Sequence, residues 1–182
     1  APSWASYEPM LELIGAVPIH VPVRKDNFHP DMEAIEASIT NKTKMILLNS
    51  PNNPTGNSFS DESVLKILNN FNGLVVIDEA YIDFSKNKSW LVELSEFPNL
   101  IITQTLSKAY AMAGLRVGVL YDSKDVLMVL NKIKPPYNMN VSSQENAIRK
   151  LLQGTFKPQL KKILLERKKL KTALLNFSFI KK

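Results

Sequence analysis

The chain has 182 residues, of which 45% are hydrophobic and 22% charged, so it is long and apolar enough to bury the core of one sizeable globular domain. The absence of cysteine excludes disulfides and thiolate metal sites, and a content of only two histidines argues against a zinc centre or a histidine triad. The sequence contains no run of about eighteen apolar residues, so it predicts no transmembrane helix. The first residues do not resemble a signal peptide. We therefore expect a cytoplasmic protein without a membrane partner.

The net charge of +6 is concentrated near the carboxyl terminus. Residues 149–182 contain eleven basic side chains and one acid, a local charge of +10, which leaves −4 for the preceding 148 residues. A basic segment of this kind suits nucleic acid or an acidic membrane surface. Its apolar residues follow helical spacing without an aromatic platform for bases, so we expect a solvated helix face and no nucleic-acid partner. A basic nucleic-acid-binding module is the alternative.

Hydrophobic periodicity and turn residues predict strands alternating with helices. Helices are predicted at residues 8–14, 30–39, 61–71, 124–134 and 158–176, and a further helix is predicted to open at the capping box Ser142-Ser143-Gln144-Glu145. Apolar runs predict strands covered on both faces at 45–48, 74–77 and 100–103, a fourth strand at 117–121, and an edge strand at 16–23. This alternation predicts an α/β fold with a mostly parallel sheet and helices on both faces.

The most informative stretch follows the strand predicted at 100–103. It places Lys108 close to the hydroxyls of Thr105 and Ser107, with Arg116 eight residues further on. A lysine amine can react with an aldehyde where its surroundings favour the neutral form. Two hydroxyls and a guanidinium are suitable donors for a phosphate dianion. An amine for an aldehyde beside donors for a phosphate predicts pyridoxal 5'-phosphate, and the alternative is a surface loop with a solvated lysine.

Other polar residues also follow predicted strands. Asn53 lies in the loop after the first buried strand, and Asp78 and Tyr81 follow the second. Ligands of open α/β sheets bind beyond the carboxyl ends of the strands, so we expect these residues and Lys108 to converge on one site. An acid pair at Asp78 could instead bind the metal of a nucleotide hydrolase, but the chain has no Gly-rich phosphate-binding loop of the P-loop type.

Four motifs together resemble a known family. Residues 50–56 read Ser-Pro-Asn-Asn-Pro-Thr-Gly, residues 76–81 read Val-Ile-Asp-Glu-Ala-Tyr, Ser107-Lys108 follows, and Arg116 comes eight residues later. In this order and spacing they resemble the fold type I aminotransferases that depend on pyridoxal 5'-phosphate. The longer forms, at residues 78–84 and 105–116, are most similar to the histidinol-phosphate aminotransferase branch.

The resemblance implies a role for each matched residue. Lys108 would bind the coenzyme covalently and then carry protons, as catalytic base and acid. Asp78 would pair with the protonated pyridine nitrogen, and Tyr81 and Asn53 would hydrogen-bond the ring oxygen. The phosphate would be held by Thr105, Ser107 and Arg116. Trp4 matches the position where an aromatic ring stacks on the coenzyme.

The resemblance also implies a reaction and its context. The enzyme would convert L-histidinol phosphate and 2-oxoglutarate to imidazole-acetol phosphate and L-glutamate in histidine biosynthesis, as a homodimer acting on small molecules. An aminotransferase for aromatic amino acids and a threonine-phosphate decarboxylase are the alternatives within the family. Such enzymes are about twice this length, so we expect residues 1–156 to be part of the coenzyme-binding large domain. Residues 157–182 would be the interdomain helix and the start of the small domain. We expect this piece alone to be inactive.

Overall fold

The computed structural model describes residues 3–180. Within them lie six α-helices and four strands. In chain order these are α1 (Tyr7–Leu13), α2 (Met32–Ser38), β1 (Met45–Asn49), α3 (Asp61–Asn70), β2 (Leu74–Asp78), β3 (Leu100–Thr105), β4 (Gly118–Tyr121), α4 (Lys124–Ile133), α5 (Val141–Gln153) and α6 (Phe156–Leu174). Short 3-10 helices occupy Ile82–Phe84, Trp90–Glu93 and Ala113–Leu115.

The chain divides into two compact units. The first unit consists of residues 1–105 and 118–135, and the second of residues 106–117 and 136–182. The first therefore contains the whole sheet with α1 to α4, and the second contains α5, α6 and the segment between β3 and β4. The boundary predicted between residues 156 and 157 lies in the first turn of α6 and stays a prediction.

The four strands form one sheet in the order β1-β2-β3-β4. The pairs β1-β2 and β2-β3 are parallel, which confirms the predicted α/β fold with a mostly parallel sheet. β4 runs antiparallel to β3. The segment between these two strands contains a 3-10 helix in place of the longer crossover helix that usually joins parallel neighbours, which is consistent with the reversal.

The core of the first unit lies on one face of the sheet. Val75 and Ile77 of β2 and Ile102 of β3 are fully buried there, because side chains two positions apart point to the same face. Burying one such side chain contributes about 1.5–3 kcal/mol to folding. The buried cluster consists of Ile35, Leu48, Phe59, Val64, Ile67, Leu68, Phe71, Val75, Ile77, Leu100 and Ile102.

The strands differ in how fully they are covered. Val76 and Ile101 alternate onto the opposite face and are also buried, so β2 and β3 are covered on both faces, as their apolar runs predict. The same prediction is wrong for β1. Its first residue, Met45, is 43% exposed, and only Leu48 and Asn49 are buried. β1 pairs with β2 alone within the described residues, so its other edge is unpaired there.

The helix α3 shows how local sequence fixes an element. Val64, Ile67 and Leu68 are spaced three and four residues apart, so they form one buried stripe against the sheet. Ser60 caps the helix, because its hydroxyl accepts a hydrogen bond from the backbone N–H of Ser63 at 3.3 Å. The helix agrees with the sequence prediction, and Ser60 is one of the two residues, with Asp61, that the sequence offers as its cap.

The predicted edge strand at residues 16–23 is wrong. Its only pairing is an isolated antiparallel bridge between Val23 and Pro30, supported by the N–H of Arg24, which donates to the carbonyl of His29 at 2.9 Å. Pro18 and Pro22 lack backbone N–H groups, so an alternating apolar pattern cannot form a continuous ladder here.

The second unit has a small core of its own. It comprises Leu106, Met112, Val117 and Ala147, so α5 packs on the segment that precedes β4. The predicted capping box of α5 is wrong. Asn140 caps the helix, since its Oδ1 accepts a hydrogen bond from the N–H of Ser143 at 2.7 Å. The observed cap therefore lies two residues before Ser142, the first residue of the predicted box. Along residues 3–180, no helix has the length and apolar character required to span a bilayer.

Candidate functional site

Asp78 is the last residue of β2 and lies between two neighbouring strand ends. Its backbone is in register with Asn49 of β1 on one side and Thr103 of β3 on the other. Its carboxylate accepts two hydrogen bonds. Oδ1 accepts from the N–H of Ala80 at 2.9 Å, and Oδ2 accepts from the hydroxyl of Tyr7 in a short contact. The half-buried carboxylate is therefore fixed from two sides at the carboxyl end of the sheet.

Tyr7 was not predicted as a site residue. It belongs to α1, 71 residues before its partner Asp78. Burial is the main cause that raises the pKa of the Tyr7 phenol far above its ordinary value, and the hydrogen bond to Asp78 adds to it. The negative charge of Asp78 and the proximity of Tyr81 act in the same direction. Near neutral pH, Tyr7 is therefore protonated and donates its hydroxyl hydrogen to Asp78.

The loop after β1 is held against β2 by one buried amide. Asn49 is 4% exposed, and its Oδ1 accepts the N–H of Asn53 at 2.7 Å while its Nδ2 donates to the carbonyl of Asp78 at 3.3 Å. The N–H of Ser50 donates to the same carbonyl at 3.1 Å. This arrangement places Asn53, a predicted site residue, next to the end of β2. Asn49 was not predicted, although its position at the end of an apolar strand is a usable signal.

Two aromatic residues of the predicted site lie in the first unit. Tyr81 is half-buried and directly precedes the 3-10 helix Ile82–Phe84, with its ring centroid 6.4 Å from that of Phe84. Trp4 is 44% exposed, and its ring meets that of Tyr7 edge-on, with centroids 5.2 Å apart and planes at 90°. The first unit therefore brings Tyr7, Asn53, Asp78 and Tyr81 together around the end of β2, and Trp4 joins them through Tyr7.

Glu79, beside Asp78, has a different environment. It is 1% exposed, and its carboxylate accepts hydrogen bonds from Ser89 Oγ at 2.5 Å, Trp90 N at 2.7 Å and Gln104 Nε2 at 2.9 Å. These donors come from the loop after β2 and from β3. Glu79 thus ties that loop to the sheet, which is a structural role that the sequence did not reveal.

The remaining predicted residues follow β3. Thr105 is its last residue, in the first unit, and is paired with Gly118 of β4. Ser107, Lys108 and Arg116 lie in the second unit. Their convergence with Asp78 and Tyr81 on one site stays a prediction.

The turn that bears Lys108 is defined by backbone hydrogen bonds within the second unit. The N–H of Ala111 donates to the carbonyl of Lys108 at 3.0 Å, and the N–H of Met112 donates to that of Leu106 at 3.0 Å. Ser107 is half-buried and Lys108 is exposed. Because Leu106 and Met112 belong to the small core, the turn that bears the exposed Lys108 has anchored ends.

Arg116 has an unusual backbone conformation. Its φ of 55° and ψ of 41° lie in the left-handed region, which non-glycine residues adopt rarely. The residue is exposed, and its Nη1 donates to the carbonyl of Ala113 at 3.2 Å, which holds the guanidinium against its own 3-10 helix. A rare conformation at a residue predicted to bind phosphate is consistent with a functional position.

The carboxylate of Asp78 can bind a further donor at the end of β2. An ionised carboxylate has about four lone-pair sites, and the described contacts of Asp78 use two of them, so it can accept a further N–H. No group of three or more carboxylates and histidines suited to a metal ion occurs in the part of the chain that the structure describes.

Comparison with known proteins places these observations in context. Residues 1–182 match the family model described as aminotransferase class I and II. The histidinol-phosphate aminotransferase of Flavobacterium psychrophilum is 62% identical over 156 residues, which cover 86% of this chain and 45% of that protein.

Solved structures give the same result. The crystal structure of the histidinol-phosphate aminotransferase from Clostridium acetobutylicum matches with a TM-score of 0.86 at 26% identity and covers 100% of this chain and 56% of that chain. The enzyme of the same name from Sinorhizobium meliloti, in complex with pyridoxal-5'-phosphate, matches with a TM-score of 0.78 at 25% identity, over 91% of this chain and 45% of that chain. The present chain spans about half the length of the relatives it matches.

Proposed function

We propose that this chain, which belongs to the class I and II aminotransferase family, is the central part of a histidinol-phosphate aminotransferase. With pyridoxal 5'-phosphate as coenzyme, the whole enzyme would transfer the amino group of L-histidinol phosphate to 2-oxoglutarate. The products would be imidazole-acetol phosphate and L-glutamate. The 62% identity to a relative of that name supports the proposal, and the carboxylate of Asp78, held by two donors at the end of β2, is the structural observation that carries it.

The residues of the first unit suit the ring of this coenzyme. When bound, pyridoxal 5'-phosphate withdraws electrons from the substrate carbon that loses its proton. Asp78 would accept the N–H of the ring nitrogen, which keeps the ring positively charged. Tyr81 and Asn53 would donate hydrogen bonds to the ring oxygen, and Trp4 would cover one face of the ring. The donors on Asp78 Oδ1 and Oδ2 leave lone pairs for the ring N–H, so the carboxylate fits this role.

The residues that follow β3 suit the remaining parts of the coenzyme. Lys108 would attach it through Nζ, and once substrate has displaced that bond, the same amine would remove and return protons. Thr105, Ser107 and Arg116 would bind the phosphate through two hydroxyls and a guanidinium. Arg116 is the strongest of these donors, because a guanidinium can bind two phosphate oxygens at once.

The context of the reaction belongs to the same proposal. Residues 1–156 would form part of the coenzyme-binding large domain, and residues 157–182 would lead to a small domain that carries further substrate contacts. The whole enzyme would work as a homodimer in the cytoplasm. Because the chain spans about half the length of its relatives, we expect the 182-residue chain alone to bind coenzyme weakly and not to catalyse transamination.

Coenzyme binding gives the first test. Titrating the chain with pyridoxal 5'-phosphate should produce the visible absorbance of a lysine-bound coenzyme, and reduction with borohydride should fix it on the peptide that contains Lys108. The Lys108→Ala variant should lose both signals. Lys150→Ala, which removes another exposed lysine of the same unit, should retain them. Labelling of lysines in proportion to their exposure would contradict the proposal.

The substrate requires a second test on the protein encoded by the complete gene. We expect amino transfer from L-histidinol phosphate to be faster than from aromatic amino acids. We also expect no decarboxylation of threonine phosphate. A preference for either alternative would keep the coenzyme chemistry and change the substrate, so the two parts of the proposal can fail separately.

A further inference from the structure

The hydrogen bond between Tyr7 and Asp78 is the contact from which a further role can be argued. It joins a helix near the start of the described chain to a strand end 71 residues later. Oδ2 accepts from the phenol and Oδ1 accepts from the backbone N–H of Ala80 at 2.9 Å. Two donors on two different oxygens fix both the position and the plane of the carboxylate.

Packing alone does not account for the position of Tyr7. The seven residues of α1 include no buried side chain, and the helix ends in Leu13, which is 88% exposed. Tyr7 itself is half-buried and meets Trp4 edge-on. A phenylalanine ring could make the same aromatic contact, so the polar partner of the hydroxyl is the feature that distinguishes tyrosine at this position.

The electrostatics favour a permanent donor. Burial is the largest cause that raises the pKa of the Tyr7 phenol, and Asp78 and Tyr81, the titratable groups that act on it, raise it further. The proton therefore stays on Tyr7, and the carboxylate receives a hydrogen bond from a neutral group. Such a bond stabilises the anionic form of a carboxylate relative to its protonated form.

We propose that Tyr7 is a positioning residue for the coenzyme: its hydroxyl stabilises the anionic form of Asp78 and thereby keeps the shared proton on the ring nitrogen of pyridoxal 5'-phosphate. This inference rests on the proposed function, because it assumes that Asp78 faces that nitrogen. A proton shared between a carboxylate and a ring nitrogen moves toward the nitrogen when the anion is stabilised. Tyr7 touches neither substrate nor coenzyme in this role and acts only through Asp78.

The decisive experiment is nitrogen NMR of the chain loaded with pyridoxal 5'-phosphate labelled with ¹⁵N in the ring. In the unsubstituted chain the ring signal should lie at the position of a protonated nitrogen. In Tyr7→Phe, which keeps the aromatic contact, it should move toward the unprotonated position, and the dissociation constant of the coenzyme should rise about tenfold. Tyr121→Phe removes a hydroxyl from another half-buried tyrosine of the first unit and should leave both values unchanged.

Two further measurements separate this role from a general loss of structure. In an Asp78→Asn background, adding Tyr7→Phe should not weaken coenzyme binding further, because the partner charge is already absent. Without coenzyme, alkaline ultraviolet titration of Asp78→Asn should show an additional tyrosine that ionises closer to pH 10, and this tyrosine should be lost in the double variant.

The possible outcomes distinguish the two proposals. If the unsubstituted chain binds no coenzyme, the proposed function fails for this chain, and the inference fails with it. If coenzyme binds at Lys108 but Tyr7→Phe has the same nitrogen signal and the same dissociation constant as the unsubstituted chain, the function stands and the role of Tyr7 is overturned. If Tyr7→Phe weakens coenzyme binding equally in the presence and absence of the Asp78 carboxylate, the role of Tyr7 is also overturned.

Discussion

Gln104 on β3 donates a hydrogen bond from its side-chain N–H to the carboxylate of Glu79 at 2.9 Å. Glu79 is almost completely buried, with 1% of its surface exposed. The adjacent residue, Asp78, has different partners at the end of the same strand. The two consecutive carboxylates therefore have different roles. Glu79 fixes the loop after β2, and Asp78 remains available for the proposed coenzyme.

Replacing Glu79 should destabilise the first unit strongly. Glu79→Ala leaves Ser89 Oγ, Trp90 N and Gln104 Nε2 without their buried acceptor. We expect the free energy of unfolding to fall by about 2–4 kcal/mol, measured by urea denaturation. Glu96→Ala, at an exposed position, should change it by less than about 0.5 kcal/mol. Similar values for the two variants would show that the buried hydrogen bonds contribute little.

Gly73 precedes β2 at a point where no side chain fits. A Cβ atom there would lie 2.6 Å from the carbonyl oxygen of Lys44 and 2.5 Å from the ring of Phe71. The first of these is backbone, so Gly73→Ala must displace the start of β1 or β2, and we expect a loss of about 1–3 kcal/mol. Gly114→Ala, where a Cβ would meet nothing within 4 Å, is the matched control. Thermal unfolding of both variants makes the comparison.

The cap of α5 can be tested by two neighbouring substitutions. Asn140→Ala removes the oxygen that accepts the N–H of Ser143, and it should cost about 1 kcal/mol. Ser142→Ala removes the residue that the sequence pattern suggests as cap, and it should cost less than about 0.5 kcal/mol. Helix content and urea denaturation would report both. A larger loss of stability from Ser142→Ala than from Asn140→Ala would contradict this prediction and support the capping box.

Asp122 gives a pH-dependent prediction. Burial raises the pKa of its carboxyl, and Oδ2 has no hydrogen-bond partner, although Oδ1 accepts from the N–H of Ser123 at 2.6 Å. Because the folded state has the higher pKa, it binds the proton more readily, and ionisation destabilises it as pH rises through the acidic range. Asp122→Asn should therefore unfold at higher urea than the unsubstituted chain near pH 7, and the difference should shrink as pH falls toward about 4.

An aspartate nearby provides the contrast. Asp125 is exposed in the first turn of α4, where the helix dipole favours negative charge. Asp125→Asn should therefore lower stability slightly near neutral pH, the opposite sign to Asp122→Asn. The same sign for both substitutions would mean that net charge, rather than local environment, controls the response.

Much of the sheet could be predicted because its signals are local. The runs at Val75–Ile77 and Leu100–Ile102 are apolar at every position, which is typical of strands covered on both faces, and both are buried as expected. The stripe of α3 and its Ser60 cap are equally local. The family resemblance, carried by motifs at strand ends, is confirmed by the match over residues 1–182 and by the relatives at up to 62% identity.

What the sequence did not reveal depends on contacts between distant residues. Tyr7 in a short exposed helix carries no local sign that its hydroxyl reaches Asp78. Glu79 looks like any acid after a strand until Ser89 and Gln104 are placed around it. The direction of β4 and the absence of a strand at 16–23 likewise follow from pairing and from proline, which a hydrophobic pattern does not register.

The backbone passes from one compact unit to the other three times, after residues 105, 117 and 135. A truncated gene ending at residue 135 would therefore encode the lysine-bearing segment without Ala147, the helix residue that completes its small core. Such a product would retain every predicted site residue from Trp4 to Arg116, yet it would lack the helix that supports the turn bearing Lys108. Library designs and expression trials that shorten this protein should keep α5 attached.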